Sequence, residues 1–86
     1  MDPALSSLPE DVLRFVEDQL SNDESSSDIE LFEHFVANGL SEDQARKALI
    51  FRSQYLRNIY QKGFTPIRKG FAARRYNPHS RQFEPV

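Results

Sequence analysis

Between Lys62 and Phe83 the chain carries six bases, Lys62, Arg68, Lys69, Arg74, Arg75 and Arg81, together with four aromatics, Phe64, Phe71, Tyr76 and Phe83, and no acid. Part of the stretch is nearly a seven-residue unit said twice, Lys62-Gly63-Phe64-Thr65-Pro66-Ile67-Arg68 and then Lys69-Gly70-Phe71-Ala72-Ala73-Arg74-Arg75. Cations interleaved with planar rings suit a single-stranded nucleic acid. The charges follow the phosphates and the bases stack on the rings, each stack contributing about 1–3 kcal/mol. The same residues have two other uses. They can plug an uncovered end of the chain's own core while the arginines lie over its acidic surface, or they can anchor on an acidic protein partner. The candidate binding residues are Lys62, Phe64, Arg68, Lys69, Phe71, Arg74, Arg75, Tyr76 and Arg81.

Other chemistries find little to work with. The chain has no cysteine, and His34 and His79 lie far apart, so the usual zinc spacings cannot be built and neither a metal nor a cofactor is expected. No Ser-His-Asp or Cys-His grouping stands out, which argues against an enzyme. Gly39, Gly63 and Gly70 do not make a phosphate-cradling loop, and the first two read as helix stops. Ser21, Ser25 and Ser27 each precede an acid at the third position on, a spacing that suits an acid-directed kinase and that capping and solvation explain equally.

A chain of 86 residues makes one small domain and buries roughly 60–65% of its unfolded surface. Its net charge of −2 hides a segregation: residues 1–45 hold twelve acids and one base, −11, and residues 46–86 hold ten bases and one acid, +9. Opposed halves of this kind point to an electrostatic role, in nucleic-acid contact or in docking on an acidic or basic protein surface, unless they neutralise each other within the fold; a homo-oligomer stays open. The lack of cysteine suits a reducing compartment, the N-terminus has no basic region followed by an apolar run, and no apolar run approaches the roughly 20 residues of a membrane span. A cytoplasmic protein without a membrane partner is expected.

Three helices are expected to carry these residues. Ser7-x-x-Glu10 and Ser27-x-x-Glu30 have the form of capping boxes, ahead of apolar stripes at Leu8, Val12, Phe15, Val16 and Leu20 and at Ile29, Phe32, Phe35 and Val36. They predict helices over 8–21 and 28–38, the second stopped by Gly39 with Leu40 covering the stop. Ser41-Glu42-Asp43-Gln44 opens a third helix, running to 62 and closed by Gly63, with i,i+4 pairs from Glu42 to Arg46 and Asp43 to Lys47. Arg52 falls inside its apolar stripe and must either reach an acid on one of the other helices or snorkel to water. Phe51, Tyr55 and Lys62 line one flank, which offers either a second contact face or the seat of the tail. The expected core is Val12, Phe15, Val16, Phe32, Val36, Leu49, Leu56 and Ile59.

The architecture is then all-α: an acidic-to-mixed three-helix domain over 1–62, followed by a basic, aromatic, mostly non-helical tail over 63–86. Within the tail, residues 72–76 and 81–85 can pair as a short hairpin across an Asn77-Pro78 turn. A helix-turn-helix reading of residues 28–62 fails because Glu42 and Asp43 would face phosphates. The opening "SLPEDVLRFV" resembles the start of an F-box over ten residues, the rest of that pattern does not follow, and nothing is carried over from it. These observations lead to a small non-enzymatic regulatory protein that contacts single-stranded RNA or DNA through its tail. The alternative is a protein adaptor or inhibitor that docks with its charge-segregated surfaces.

Overall fold

Two helix starts follow directly from side chains that satisfy otherwise free backbone N–H groups. Ser27 Oγ accepts from Glu30 N–H at 3.1 Å while Glu30 Oε1 accepts from Ser27 N–H at 3.0 Å, and Ser41 with Gln44 repeats the reciprocal cap at 3.1 and 2.8 Å. The computed structural model describes residues 1–85; Val86, the end of the expected tail, lies outside them. In chain order it contains α1 (Pro3–Ser6), α2 (Glu10–Asn22), α3 (Asp28–Ala37), α4 (Glu42–Leu49), α5 (Arg52–Arg57), α6 (Pro66–Lys69), a 3-10 turn (Gly70–Ala72), β1 (Arg74–Asn77) and β2 (Gln82–Pro85). The chain is mostly helical with a small two-stranded sheet, and the three-helix expectation gives way to six helical segments among the described residues.

The third expected capping box does not form. Pro9 is the N-cap of α2 without a side-chain bond, Ser7 Oγ turns back to the Ala4 carbonyl at 3.1 Å, and the Glu10 carboxylate is taken by Arg68. A charge-assisted partner outcompetes a neutral backbone donor for that carboxylate. At the end of α3, Leu40 N–H meets the Phe35 carbonyl at 3.1 Å and Gly39 N–H meets that of Val36 at 3.2 Å, with Gly39 at φ 108°. This is the Schellman closure, and a side chain at Gly39 would be strained in that conformation.

The expected third helix is two. After α4 the chain tightens at Ile50 and Phe51, where Phe51 N–H reaches the Ala48 carbonyl at 3.1 Å, and α5 then ends at Asn58, whose φ −132° and ψ 152° are extended. Residues 59–61 do not continue the helix because they are paired elsewhere. Tyr76 N–H donates to the Ile59 carbonyl at 2.7 Å, Gln61 N–H to that of Arg74 at 2.8 Å, and Tyr60 bridges Arg75. Gly63 consequently lies in a turn, closed by Phe64 N–H on the Gln61 carbonyl at 2.8 Å, and not at a helix end. Ile59 and Tyr60 match helical spacing and strand preference equally, and the ladder to β1 decides between them.

The core is rotated from the expected one. Leu5, Leu13, Val16, Leu20, Leu31, Phe35, Leu40, Ala45, Ala48, Tyr55 and Ile67 are buried together. Of the eight residues expected there, only Val16 is fully enclosed. Val12, Phe15, Phe32 and Leu49 pack half-buried around the cluster, Leu56 is half-buried outside it, Val36 is 37% exposed and Ile59 69%. The alanines of α4 let both α1 and α3 approach it closely, while α2 lies along α5. Arg52 behaves as expected, pairing with Asp28 at 2.7 Å and also donating to the Asp23 and Ser26 carbonyls at 2.9 and 2.6 Å, which ties the α2–α3 loop to α5. Of the expected i,i+4 pairs on α4, Lys47 meets Asp43 at 3.5 Å, and it also reaches Asp2 at 3.7 Å.

Candidate functional site

The C-terminal segment is held against the helices by a small number of contacts. Pro66 and Ile67 are buried, so α6, opened by Thr65 with proline in its first turn, lies over α2 and α5. The Tyr55 hydroxyl donates to Glu17 Oε2 at 2.7 Å and accepts from Ile67 N–H at 3.3 Å. Beside it Arg68 donates through Nε to Glu17 Oε1 at 2.6 Å and grips both oxygens of Glu10 at 2.8 and 2.9 Å. Hydrogen bonding from Arg68 holds the Glu10 carboxyl below its usual range, and burial pushes the Tyr55 phenol up. The segment is not wholly non-helical, since α6 and the 3-10 turn fill residues 66–72.

The expected hairpin forms, antiparallel, with Tyr76 opposite Phe83 and Arg75 opposite Glu84. Its turn is an Asx type: His79 N–H meets Asn77 Oδ1 at 2.9 Å and Arg81 N–H meets the Asn77 carbonyl at 2.8 Å, with Arg81 at φ 59°. Hydrogen bonds from Asn77 and Ser80 hold the Glu84 carboxyl below its ordinary value. Tyr76 and Phe83 meet edge to face at 5.5 Å.

The nine candidate residues divide. Arg68 is spent on Glu10 and Glu17, and Arg74 is half-buried with Nη2 on the Phe83 carbonyl at 3.2 Å. Tyr76 is half-buried against Phe83. Lys62, Lys69, Arg75 and Arg81 are exposed and make no ion pair among the described residues. Phe64 is 36% exposed with the Lys69 ammonium 5.8 Å from its ring centre, a cation–π contact. Phe71, at the middle of the 3-10 turn, is fully exposed at 102%. Of the two readings of the Phe51 and Tyr55 flank, a second contact face gives way to the seat of the C-terminal segment: Tyr55 is 3% exposed with its hydroxyl on Glu17 and Ile67, and Phe51 packs against the core. No protein-family model, curated protein or solved structure matches this chain.

What the arrangement offers is therefore a set of free cations and one unsupported ring on a fixed base. Ala73 is buried, its N–H meets the Gly70 carbonyl at 3.1 Å, Lys69 N–H meets that of Thr65 at 2.9 Å and Arg74 N–H that of Phe64 at 2.8 Å. The turn bearing Phe71 is anchored on both sides. Gly70 at φ 55° and ψ −119° makes the bend, a conformation a side chain rarely adopts. Among the described residues no group of His, Asp and Glu side chains is placed to hold a metal ion, and no helix is long and apolar enough to cross a membrane. Tyr60 and Arg57 are not among the expected binding residues, and their placement depends on where α5 stops.

Proposed function

We propose that this chain is a small non-enzymatic, cytoplasmic regulatory protein that binds single-stranded RNA or DNA through its C-terminal segment, residues 63–86, together with Lys62. The observation that carries the reading is Phe71, a ring wholly in water on an anchored turn, adjoining a segment that retains four unpaired cations. A base can stack on such a ring without any rearrangement of the fold, and Lys62, Lys69, Arg75 and Arg81 are available for phosphates. Arg68 leaves the list of contacts because Glu10 and Glu17 occupy it, and Arg74 because it is half-buried against the Phe83 carbonyl.

The test is a labelled oligonucleotide titrated by fluorescence anisotropy at several salt concentrations. Four phosphate contacts to a single strand give a slope of log affinity against log salt near −3. Phe71→Ala weakens binding about 5- to 150-fold, the equivalent of one stacked base, with no change in melting temperature because the ring touches no core residue. A flat salt response, or unchanged binding by Phe71→Ala, overturns the reading. Truncation at residue 62 is a poor test here, because it also strips Pro66 and Ile67 from the buried interior.

The rival reading, a protein adaptor or inhibitor, draws on the same ring and on the exposed side chains of Ile50 and Ile59 at 72% and 69%. Apolar anchors supply affinity while charge sets encounter and orientation. Under that reading oligonucleotides do not bind, and Phe71→Ala abolishes association with a protein partner whose affinity changes little with salt.

A further inference from the structure

Because α5 stops at Arg57 and the chain turns extended, a groove of about 620 Å³ opens between α2 and residues 55–65, within the usual size range of small-ligand sites. Two rings form its aromatic wall. Tyr55 and Tyr60 lie 5.7 Å apart at 51°, and Tyr60 is the one with exposed surface. Both are fixed before any ligand arrives: Tyr55 through Glu17 and Ile67, Tyr60 through its main-chain bridge to Arg75.

The charge on the lining is asymmetric in what remains available. Glu10 and Glu17 border the groove, but Arg68 occupies both, which leaves Asp18 as the carboxylate of the lining without an ion pair among the described residues. On the cationic side Arg57 and Lys62 have no ion pair among the described residues, and Arg14 makes only an exposed 3.8 Å contact with Glu10. Asn58 donates to the Gln54 carbonyl at 3.1 Å and to the Tyr60 hydroxyl at 3.4 Å, so its side-chain oxygen is left for a ligand donor. A ring, two cations and an amide acceptor in one groove match a planar heterocycle that carries a phosphate.

We propose that the groove receives a single nucleotide, its base against Tyr60 and its phosphate against Arg57 and Lys62. The proposal rests on the single-strand reading above, since Lys62 belongs to both and a strand on the C-terminal segment would enter the groove past it. Adenosine monophosphate, adenosine and inorganic phosphate serve as probes, titrated into the full chain and followed by amide chemical shifts.

Expected are saturable shifts at Tyr60, Arg57 and Lys62 with the monophosphate and weaker binding of adenosine or phosphate alone. R57Q combined with K62Q should weaken the monophosphate at least 10-fold, and both side chains are exposed, so folding is not at issue. Y60F should keep binding within about twofold, while Y60A should lose about 5- to 150-fold, the range of one stacked base. Monophosphate binding that ignores R57Q/K62Q, or shifts that map elsewhere, overturn the groove. If oligonucleotide still binds and responds to Phe71→Ala while monophosphate binding ignores R57Q/K62Q and Y60A, the groove fails and the proposed function stands. If neither oligonucleotide nor monophosphate binds, both fail.

Discussion

Tyr55 is a residue on which the attachment of the C-terminal segment turns, since its hydroxyl links α5 to both α2 and α6, beside the direct contacts of Arg68 with α2. Tyr55→Phe keeps the ring and removes the bridge, which leaves Glu17 short of a donor and the buried Ile67 N–H short of an acceptor; a cost of about 1–3 kcal/mol is expected in urea unfolding at neutral pH. Arg68 adds a pH dependence. Glu10 has a lowered pKa in the folded chain, so its contribution is complete above the ordinary carboxyl value near 4.5 and is lost as pH falls through the lowered one. The deficit of Arg68→Ala relative to the parent should be large at pH 7 and shrink only as pH falls below the ordinary carboxyl range and through the lowered Glu10 value, where the Glu10 side chain becomes protonated in both proteins. A deficit that stays constant through that titration would mean that Arg68 acts through packing alone.

At the scale of elements, α3 offers the sharpest comparison. Phe35 is fully enclosed and Phe32 lies at the rim, so Phe35→Ala should cost about 3–5 kcal/mol and Phe32→Ala roughly half as much. Thermal melts of the two variants would separate them. The caps at Ser27 and Ser41, the Gly39 stop and the hairpin were legible in the sequence, because each is a local pattern; that Arg52 would meet an acid of another helix was legible too, but not that the acid is Asp28. The choice of core face was not. Leu13 and Leu31 lie one residue from the expected stripes, and an amphipathic helix with apolar residues on adjacent positions leaves its rotation to its neighbours. The end of α5 was equally hidden, since strand partners 15 and 17 residues downstream decide it, Arg75 for Tyr60 and Tyr76 for Ile59. In the candidate site the residue types were legible. Which cations stay free was not, because Glu10 and Glu17 could be assigned to Arg68 only once α6 was placed.

Over the whole molecule the two charge halves meet at a few ion pairs: Asp2 with Lys47, Asp28 with Arg52, and Glu10 and Glu17 with Arg68. Most other acids of α2 and α3 and most C-terminal cations stay in water, so folding cancels little of the segregation. Arg68 lies 58 residues from Glu10 along the chain, whereas α3 and α4 are joined by the short turn through Gly39. Local pairs of this kind can form at small entropic expense, but the Arg68 contact must first close a long loop. The docking of α6 is accordingly expected late, after the transition state for folding. Ile67→Ala, which removes a buried side chain at about 2–5 kcal/mol, should leave the refolding limb of a chevron plot almost in place and raise the unfolding limb. The segment that carries the exposed ring would then set how long a folded molecule lasts and not how fast it forms.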